Sequence, residues 1–211
     1  MKVVAFNGSA RKGGNTAVLL KQVLEEIAAE GIETELIELA GKPVPGCIAC
    51  FKCFERKNRL CAVEKDIINE AIAKMAAADG ILLGSPTYFA DVSASMKALI
   101  ERCGMVSRAN GDMFQRKVGA GVVAVRRAGA SHVFNSLNNF FTIGQMIIVG
   151  SSYWNIGIGR EPGEVLQGQR RDANHAGSGQ KYGMAAQENQ RLSDHEEFTV
   201  SGLQFTVQCR S

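Results

Sequence analysis

The sequence predicts an α/β protein with a doubly wound parallel sheet, because short apolar, β-branched runs alternate along the chain with segments of helical periodicity. The first such run, residues 2–6, leads directly into the turn Asn7-Gly8-Ser9, and a helical segment follows it. Connections between successive parallel strands are right-handed, and ligands bind in the crevice at the carboxyl ends of the strands. We therefore expect the function to reside in the loops that follow the strands.

Each element is indicated by its own pattern. Residues 32–39 alternate apolar and polar side chains, as is typical of a strand near a sheet edge. Gly31 can end the first helix, and Asp66 is placed to cap the second. The predicted strands are residues 2–6, 32–39, 80–84, 118–125 and 146–149. The predicted helices are residues 18–27, 67–75, 91–102 and 131–141.

The composition is that of one globular domain, with 211 residues of which 45% are hydrophobic and 21% charged. The net charge of +3 is too small and too scattered to favour a nucleic-acid partner. No stretch approaches the roughly 20 apolar residues of a membrane span, and the N-terminus lacks the long apolar core of a signal peptide. We therefore expect a cytoplasmic protein without a membrane partner, whose six cysteines are thiols or metal ligands rather than disulfides.

The loop after the first strand, residues 8–16, has the features of an anion site. Backbone N–H groups at the start of a helix attract anions, and Ser9, Asn15 and Thr16 add hydroxyl and amide donors. Arg11 adds a charge-assisted contact. The glycine spacing fits neither the dinucleotide motif nor the P-loop, so a phosphate monoester is favoured over a dinucleotide or a triphosphate. The alternative is an ordinary strand–helix turn.

The predicted topology brings two further loops beside this one. The turn Ser85-Pro86-Thr87-Tyr88-Phe89 follows the third strand, and Arg126, Arg127 and Gly129 follow the fourth. Pro86 rigidifies the turn, and an aromatic pair can cover a planar ligand. The alternatives are that the aromatic pair belongs to the core and that the arginines form a solvated surface pair.

These motifs carry a resemblance to a known family. The sequence GSARKGGNT after the first strand, together with GSPTYF after the third, resembles the NADPH-dependent FMN reductase family of flavodoxin-like proteins over about residues 1–166. The resemblance implies a flavodoxin-like five-stranded sheet of order 2-1-3-4-5 that binds FMN, with NAD(P)H as a possible electron donor. It assigns the phosphate to Ser9, Arg11, Asn15 and Thr16, and the isoalloxazine ring to Pro86, Thr87, Tyr88 and Phe89. A cation from the third loop (Arg126, Arg127, Gly129) near the flavin would stabilise its reduced anion.

A cysteine-rich loop, residues 41–65, follows the second strand. Its spacing is C-x2-C-x2-C-x7-C, formed by Cys47, Cys50, Cys53 and Cys61. Four thiolates can hold an iron–sulfur cluster or a structural zinc ion, or they can remain uncoordinated thiols. The pattern resembles the compact cysteine motif of the iron–sulfur flavoproteins, a branch of the same family, which implies a 4Fe–4S cluster.

The resemblance implies an FMN-dependent oxidoreductase that exchanges electrons between FMN and the cluster. No side chain need act as an acid or base, so no catalytic residue is assigned. Basic residues in the cysteine-rich loop suggest an acidic redox partner such as a ferredoxin. The alternatives are a small-molecule acceptor and a loop whose charges are only solvated. Members of the family are commonly homo-oligomers. Two rival functions remain: an NAD(P)H-dependent FMN or quinone reductase without a cluster, and a non-enzymatic metal-binding module on a flavodoxin-like scaffold.

The end of the chain does not fit this domain. A helix is expected after the fifth strand, yet residues 167–211 are polar and lack helical periodicity. If this segment is back-translated with permissible codons and then read one nucleotide later, it encodes an amphipathic helix. We therefore interpret the sequence from about Gly168 onward as frameshifted, and the alternative is a natural disordered tail.

Overall fold

The computed structural model describes residues 1–151 and 153–167 as alternating strands and helices. The strands are β1 (Lys2–Asn7), β2 (Glu33–Glu38), β3 (Gly80–Pro86), β4 (Val118–Val125), β5 (Ile147–Ile148) and β6 (Ile156–Ile158). The helices are α1 (Asn15–Ala29), α2 (Lys52–Arg56), α3 (Ile68–Ala77), α4 (Ala94–Ala109) and α5 (Ala130–Ile143), followed by a 3₁₀ turn at Glu164–Gln167. The predicted elements are all present, and the short helix α2 in the cysteine-rich loop is added to them.

The sheet has the order β2-β1-β3-β4-β5, and all its strands are parallel, so the predicted flavodoxin-like topology is confirmed. The fifth position differs from the prediction because two short strands share it. β5 pairs with the beginning of β4, and β6 pairs with its end. Between them the chain leaves the sheet, and the Asn155 side chain donates to the Gly121 carbonyl oxygen over 3.1 Å, replacing a strand hydrogen bond.

Side chains of the central strands alternate between two cores. Leu82 faces α1, whereas its neighbours Ile81 and Leu83 face the layer formed by α3, α4 and α5. The helices bury apolar faces at three- and four-residue spacing, as Leu20, Val23 and Ile27 do in α1. Each such side chain contributes roughly 1.5–3 kcal/mol when it leaves water. The two layers hold the strand ends rigidly, which fixes the loops above them.

Two observations bear on the remaining sequence-based expectations. In the part of the chain that the structure describes, no helix combines the length and apolarity needed to cross a bilayer. The atypical segment at residues 167–211, with its proposed frameshift from about Gly168, lies outside the described residues apart from its first residue, and the frameshift stays a prediction.

Candidate functional site

The loops after β1, β3 and β4 meet at the carboxyl end of the sheet and enclose a cleft with a volume of about 300 Å³. The segment after β6 closes a further side with Gly159 and Arg160. Sequence analysis missed these two residues because β6 was not predicted. The cleft is lined by Ser9, Arg11, Asn15, Thr16, Pro86, Thr87, Tyr88, Ala124, Val125, Arg126, Gly159 and Arg160.

The loop after β1 is folded by its own polar side chains. The amide of Ser9 donates to Asn7 Oδ1 over 3.0 Å, and the amide of Arg11 donates to Ser9 Oγ over 3.1 Å. Asn15 Oδ1 accepts from the amide of Gly163 over 2.8 Å. Because these contacts use acceptor oxygens, the hydroxyl proton of Ser9 and the amide protons of Asn15 remain as donors for an anion.

Helix α1 opens toward the same cleft. It begins at Asn15, its N-cap residue is Gly14, and no side chain of the described residues caps it. The first N–H groups of a helix have no partner within the helix and carry a partial positive charge. Arg11 adds a full charge at the rim, where its Nη1 donates to the carbonyl oxygen of Arg160 over 3.3 Å. The geometry fits a phosphate group at this point.

The loop after β3 holds a strained turn. Tyr88 and Asp91 exchange backbone hydrogen bonds of 2.9 and 3.2 Å, and the two residues between them, Phe89 and Ala90, have φ values of +48° and +71°. Two consecutive non-glycine residues in the left-handed region are strained, a feature that clusters at ligand sites. The Phe89 side chain is fully exposed at the tip of this turn and does not line the cleft.

Contacts from α5 hold this turn in place. Asp91 Oδ1 accepts from the amide of Val92 over 2.7 Å and from Ser136 Oγ over 2.9 Å. The Val92 amide, followed by Ser136 and His132, lowers the pKa of the Asp91 carboxyl. Asp91 therefore stays ionised and anchors the turn.

Of the three residues predicted in the loop after β4, one lines the cleft. Arg126 lines the cleft, whereas Arg127 is exposed beside it and lies outside the lining. Gly129 also lies outside the lining, with a φ of +88°, and a Cβ added to it would meet Thr87 Cγ2 at 3.3 Å. Gly129 therefore lets the loop after β4 pass close to Thr87, where a larger residue would be crowded.

One buried hydroxyl group of the cleft is available to bind a ligand. Thr87 Oγ1 is buried and has no hydrogen-bond partner among the described residues. Buried polar groups are nearly always paired, so an orphan at a ligand-sized cleft is explained by a polar group of the ligand. The edge of a flavin ring carries such groups, and the cleft residues fit FMN.

The four cysteines of the predicted motif lie around one small cavity on the outer side of α4. Cys47, Cys50, Cys53 and Cys61 line it together with the middle of α4, and all four are free thiols. Within residues 1–151 and 153–167, no group of three or more Cys, His, Asp or Glu residues is arranged to hold a single metal ion. All four cysteines nevertheless line the same cavity.

Cys61 is held on two sides by residues that sequence analysis missed. Asn69 of α3 accepts from the Cys61 amide over 2.7 Å and donates to the Cys61 carbonyl oxygen over 3.0 Å. Arg102 of α4 donates from Nε to Cys61 Sγ over 3.3 Å and forms a buried ion pair with Asp66. The Asp66 carboxylate also accepts from the Ile68 amide over 2.9 Å, although the N-cap residue of α3 is Ile67 and not the predicted Asp66.

The remaining thiols differ in environment. Burial raises the pKa of the Cys53 thiol. Burial also raises the pKa of Cys103, which lies on the buried face of α4 and outside the cavity. Cys103 is thus a core thiol.

Comparisons with known proteins agree with this geometry. The family model for NADPH-dependent FMN reductase matches residues 1–161. An iron–sulfur flavoprotein from Methanocaldococcus jannaschii is 41% identical over 171 residues, which cover 78% of this chain and 86% of that protein. An iron–sulfur flavoprotein from Methanosarcina thermophila is 33% identical over 166 residues, which cover 78% of this chain and 85% of that protein.

Solved structures show the same fold at low sequence identity. RosB with a bound 8-demethyl-8-formylriboflavin-5′-phosphate intermediate superposes with a TM-score of 0.70 at 16% identity, covering 100% of this chain and 94% of that one. A WrbA-like flavodoxin from Agrobacterium tumefaciens gives a TM-score of 0.61 at 16% identity, covering 89% of this chain and 98% of that one. The chain therefore belongs to the NADPH-dependent FMN reductase family, in its iron–sulfur flavoprotein branch, and is an FMN-dependent oxidoreductase with a flavodoxin-like fold.

Proposed function

We propose that this protein transfers electrons between FMN, bound in the cleft, and a 4Fe–4S cluster held by Cys47, Cys50, Cys53 and Cys61. The observation that carries the proposal is the presence of both sites on one chain: a phosphate-binding cleft and a cavity ringed by four thiols. Similarity to two iron–sulfur flavoproteins, from Methanocaldococcus jannaschii and Methanosarcina thermophila, supports the proposal. When bound, FMN exchanges one or two electrons and the cluster exchanges one, so together they link the two kinds of chemistry.

In this proposal the phosphate of FMN lies against Ser9, Arg11, Asn15 and Thr16, at the start of α1. The ring lies along Pro86, Thr87 and Tyr88, where Thr87 Oγ1 gains the partner it lacks. Arg126 faces the ring and favours its reduced anion. Phe89 and Arg127 do not line the cleft, so we assign neither of them a contact with the ring, and Gly129 supports the site only by lying against Thr87. The protein contributes binding, orientation and charge, and we assign no catalytic acid or base.

The cysteine cavity favours a cluster over a zinc ion. The cysteines of a structural zinc site usually come in two separated pairs, whereas Cys47, Cys50 and Cys53 follow one another at three-residue spacing. Four thiolates from one such compact motif can each bind one corner of a cluster. The thiols would remain reduced in the cytoplasm, where we place the protein.

The surface of the cysteine-rich loop fits an acidic redox partner. Four exposed apolar side chains, at 67%, 56%, 38% and 43% exposure, lie among exposed basic residues. The apolar residues are Ile48, Phe51, Phe54 and Leu60, and the basic ones are Lys52, Arg56, Lys57 and Arg59. Such a patch can steer an acidic protein to the cluster and then exclude water from the contact. We propose a ferredoxin as this partner and a homo-oligomer as the assembled form.

The test of the cofactors is anaerobic purification followed by analysis of FMN, iron and sulfide. We expect close to one FMN and four irons per chain, and a broad absorption shoulder beside the flavin bands. The Cys61→Ser variant should lose iron and keep FMN, whereas the matched Cys103→Ala variant should keep both. Flavin without iron in the wild type would favour the second candidate, an NAD(P)H-dependent reductase, which the family description supports. A protein with no affinity for FMN would overturn both.

The test of the partner is the rate of reduction by a ferredoxin at rising ionic strength. The rate should fall as salt screens the attraction. Reversing two loop charges, Lys52→Glu with Arg56→Glu, should slow the reaction, whereas Lys21→Glu on the exposed face of α1 should not. A rate that ignores both salt and the loop charges would rule out steering.

A further inference from the structure

A buried arginine lies at the base of the cysteine cavity. Arg102, in the middle of α4, is 1% exposed, and its side chain is the largest of the fully buried ones in the described residues. Arginine is almost never buried unless its charge is paired, because removing the charge from water is costly. The position therefore calls for an explanation in terms of its contacts.

Every N–H group of the Arg102 guanidinium has a partner. Asp66 accepts two of them, from Nη1 over 2.5 Å and from Nη2 over 3.2 Å. The carbonyl oxygens of Pro45 and Val63 accept one each, over 3.1 and 2.6 Å. The remaining donor, Nε–H, points at Cys61 Sγ over 3.3 Å. The first four contacts fix the plane of the guanidinium, and they therefore also fix the direction of the Nε–H bond toward Cys61 Sγ.

Stability alone does not account for this arrangement. A buried ion pair is often no more stabilising than apolar residues of the same volume. The contacts instead join both ends of the cysteine-rich loop to α4, because Pro45 precedes the first cysteine and Val63 follows the last. An arginine guanidinium is always protonated in proteins, so Nε–H remains a donor.

The backbone of Cys61 is fixed independently by Asn69, which pairs with both its N–H and its C=O. The sulfur and the backbone of this residue are therefore both restrained by α3 and α4, outside the loop itself. Ligand sites that are held by surrounding hydrogen bonds are pre-organised, and hydrogen bonds to ligand sulfurs raise the potential of a cluster by stabilising its more negative, reduced form.

We infer that Arg102 is a positioning residue for the cluster: it orients Cys61 as a ligand and raises the reduction potential of the cluster through the Nε–H···Sγ hydrogen bond. This inference rests on the proposed function. Asp66 neutralises the formal charge of Arg102, so the effect is that of one directed hydrogen bond. Its loss should shift the one-electron equilibrium between flavin and cluster by up to about tenfold, or about 59 mV.

The test compares Arg102→Lys and Arg102→Gln with the wild type, purified anaerobically. Arg108→Gln is the matched control, because Arg108 lies on the same helix but is exposed and pairs only with Asp112 among the described residues. Iron per chain, FMN per chain and Tm are measured for each. The cluster potential follows from a redox titration monitored by electron paramagnetic resonance, and the flavin potential from its absorption.

We expect both Arg102 variants to keep FMN and an unchanged flavin potential, while the cluster potential falls or the iron content drops. Arg108→Gln should match the wild type in all measurements. Unchanged iron and an unchanged cluster potential in the Arg102 variants would overturn the inference and leave the proposed function intact. Loss of FMN, iron and Tm together would mean a purely structural role and would also overturn it. A wild type without iron would overturn the proposed function itself.

Discussion

Ser93 Oγ donates a 2.6 Å hydrogen bond to the carbonyl oxygen of Gly8, and this contact ties the loop after β1 to the start of α4, which follows the loop after β3. The same hydroxyl oxygen accepts from the amide of Met96 and caps α4. Ser85 Oγ accepts from the amide of Ser93 over 3.0 Å, so the end of β3 joins the network. Gly8 lies so close to α4 that an added Cβ would meet Met96 Cβ at 2.7 Å. The loop after β1, the end of β3 and the start of α4 are thus joined by one hydrogen-bond network.

This network predicts that Ser93→Ala will weaken both folding and FMN binding. The variant loses a helix cap and leaves the buried Gly8 carbonyl unpaired, at a cost of about 1–3 kcal/mol in the free energy of unfolding. We expect the Kd for FMN to rise severalfold in a fluorescence titration. Ser107→Ala is the control, because Ser107 is also buried in α4 and accepts from the Phe114 amide, away from the cleft. It should lose stability without losing FMN affinity, and an equal loss of affinity in both would contradict the prediction.

The position of Gly129 beneath the strained turn predicts a specific effect of Gly129→Ala. Alanine at a φ of +88° costs about 1 kcal/mol, and its Cβ would press on Thr87. The Kd for FMN should therefore rise together with the loss of stability. Gly111→Ala has a similar φ of +80°, but no described atom lies within 4 Å of its Cβ. If Gly111→Ala weakened FMN binding as much, strain transmitted through the fold, and not contact with Thr87, would be the cause.

The arginines around the cleft predict a difference between FMN and riboflavin. Arg11→Ala should raise the Kd for FMN up to about tenfold, since a charge-assisted contact with the phosphate is lost at a partly solvated site. Its Kd for riboflavin, which lacks the phosphate, should not change. Arg127→Ala, outside the cleft lining, should leave both constants unchanged. Equal effects of Arg11→Ala on both ligands would place the phosphate elsewhere.

The sequence was sufficient for the sheet and for most of the residues that line the cleft, because both depend on local patterns. Strand runs, helical spacing and polar loop residues are visible without tertiary structure. Arg102 illustrates what local patterns cannot predict: it resembles a solvated charge at the end of an apolar helix face. Only the return of the cysteine-rich loop over α4 buries it against Asp66 and Cys61. The position of Phe89 outside the cleft lining is likewise not visible in the sequence, because it belongs to the Tyr88–Asp91 turn, in which residues 89 and 90 have positive φ.

The outer edge of the sheet predicts a pH-dependent contribution to stability. Glu35 of β2 pairs with Lys74 of α3 and with Lys2 of β1, the latter over 3.0 Å. The hydrogen bond from Lys74, followed by that from Lys2, lowers the pKa of Glu35 below its ordinary value of 4.5. The folded state therefore favours the ionised form of Glu35 more strongly than the unfolded state does.

The sign of the effect follows from this difference. Glu35 stabilises the fold at any pH above its unfolded pKa, and the stabilisation is lost as pH falls through its lower folded pKa. Glu35→Gln should therefore lower Tm by about 1–3 °C at pH 7, and the difference from wild type should vanish in strong acid. Glu25→Gln on the exposed face of α1 serves as the control and should change Tm little at either pH. A Tm difference for Glu35→Gln that persisted unchanged into strong acid would show that packing, and not the charged contacts with Lys74 and Lys2, is responsible.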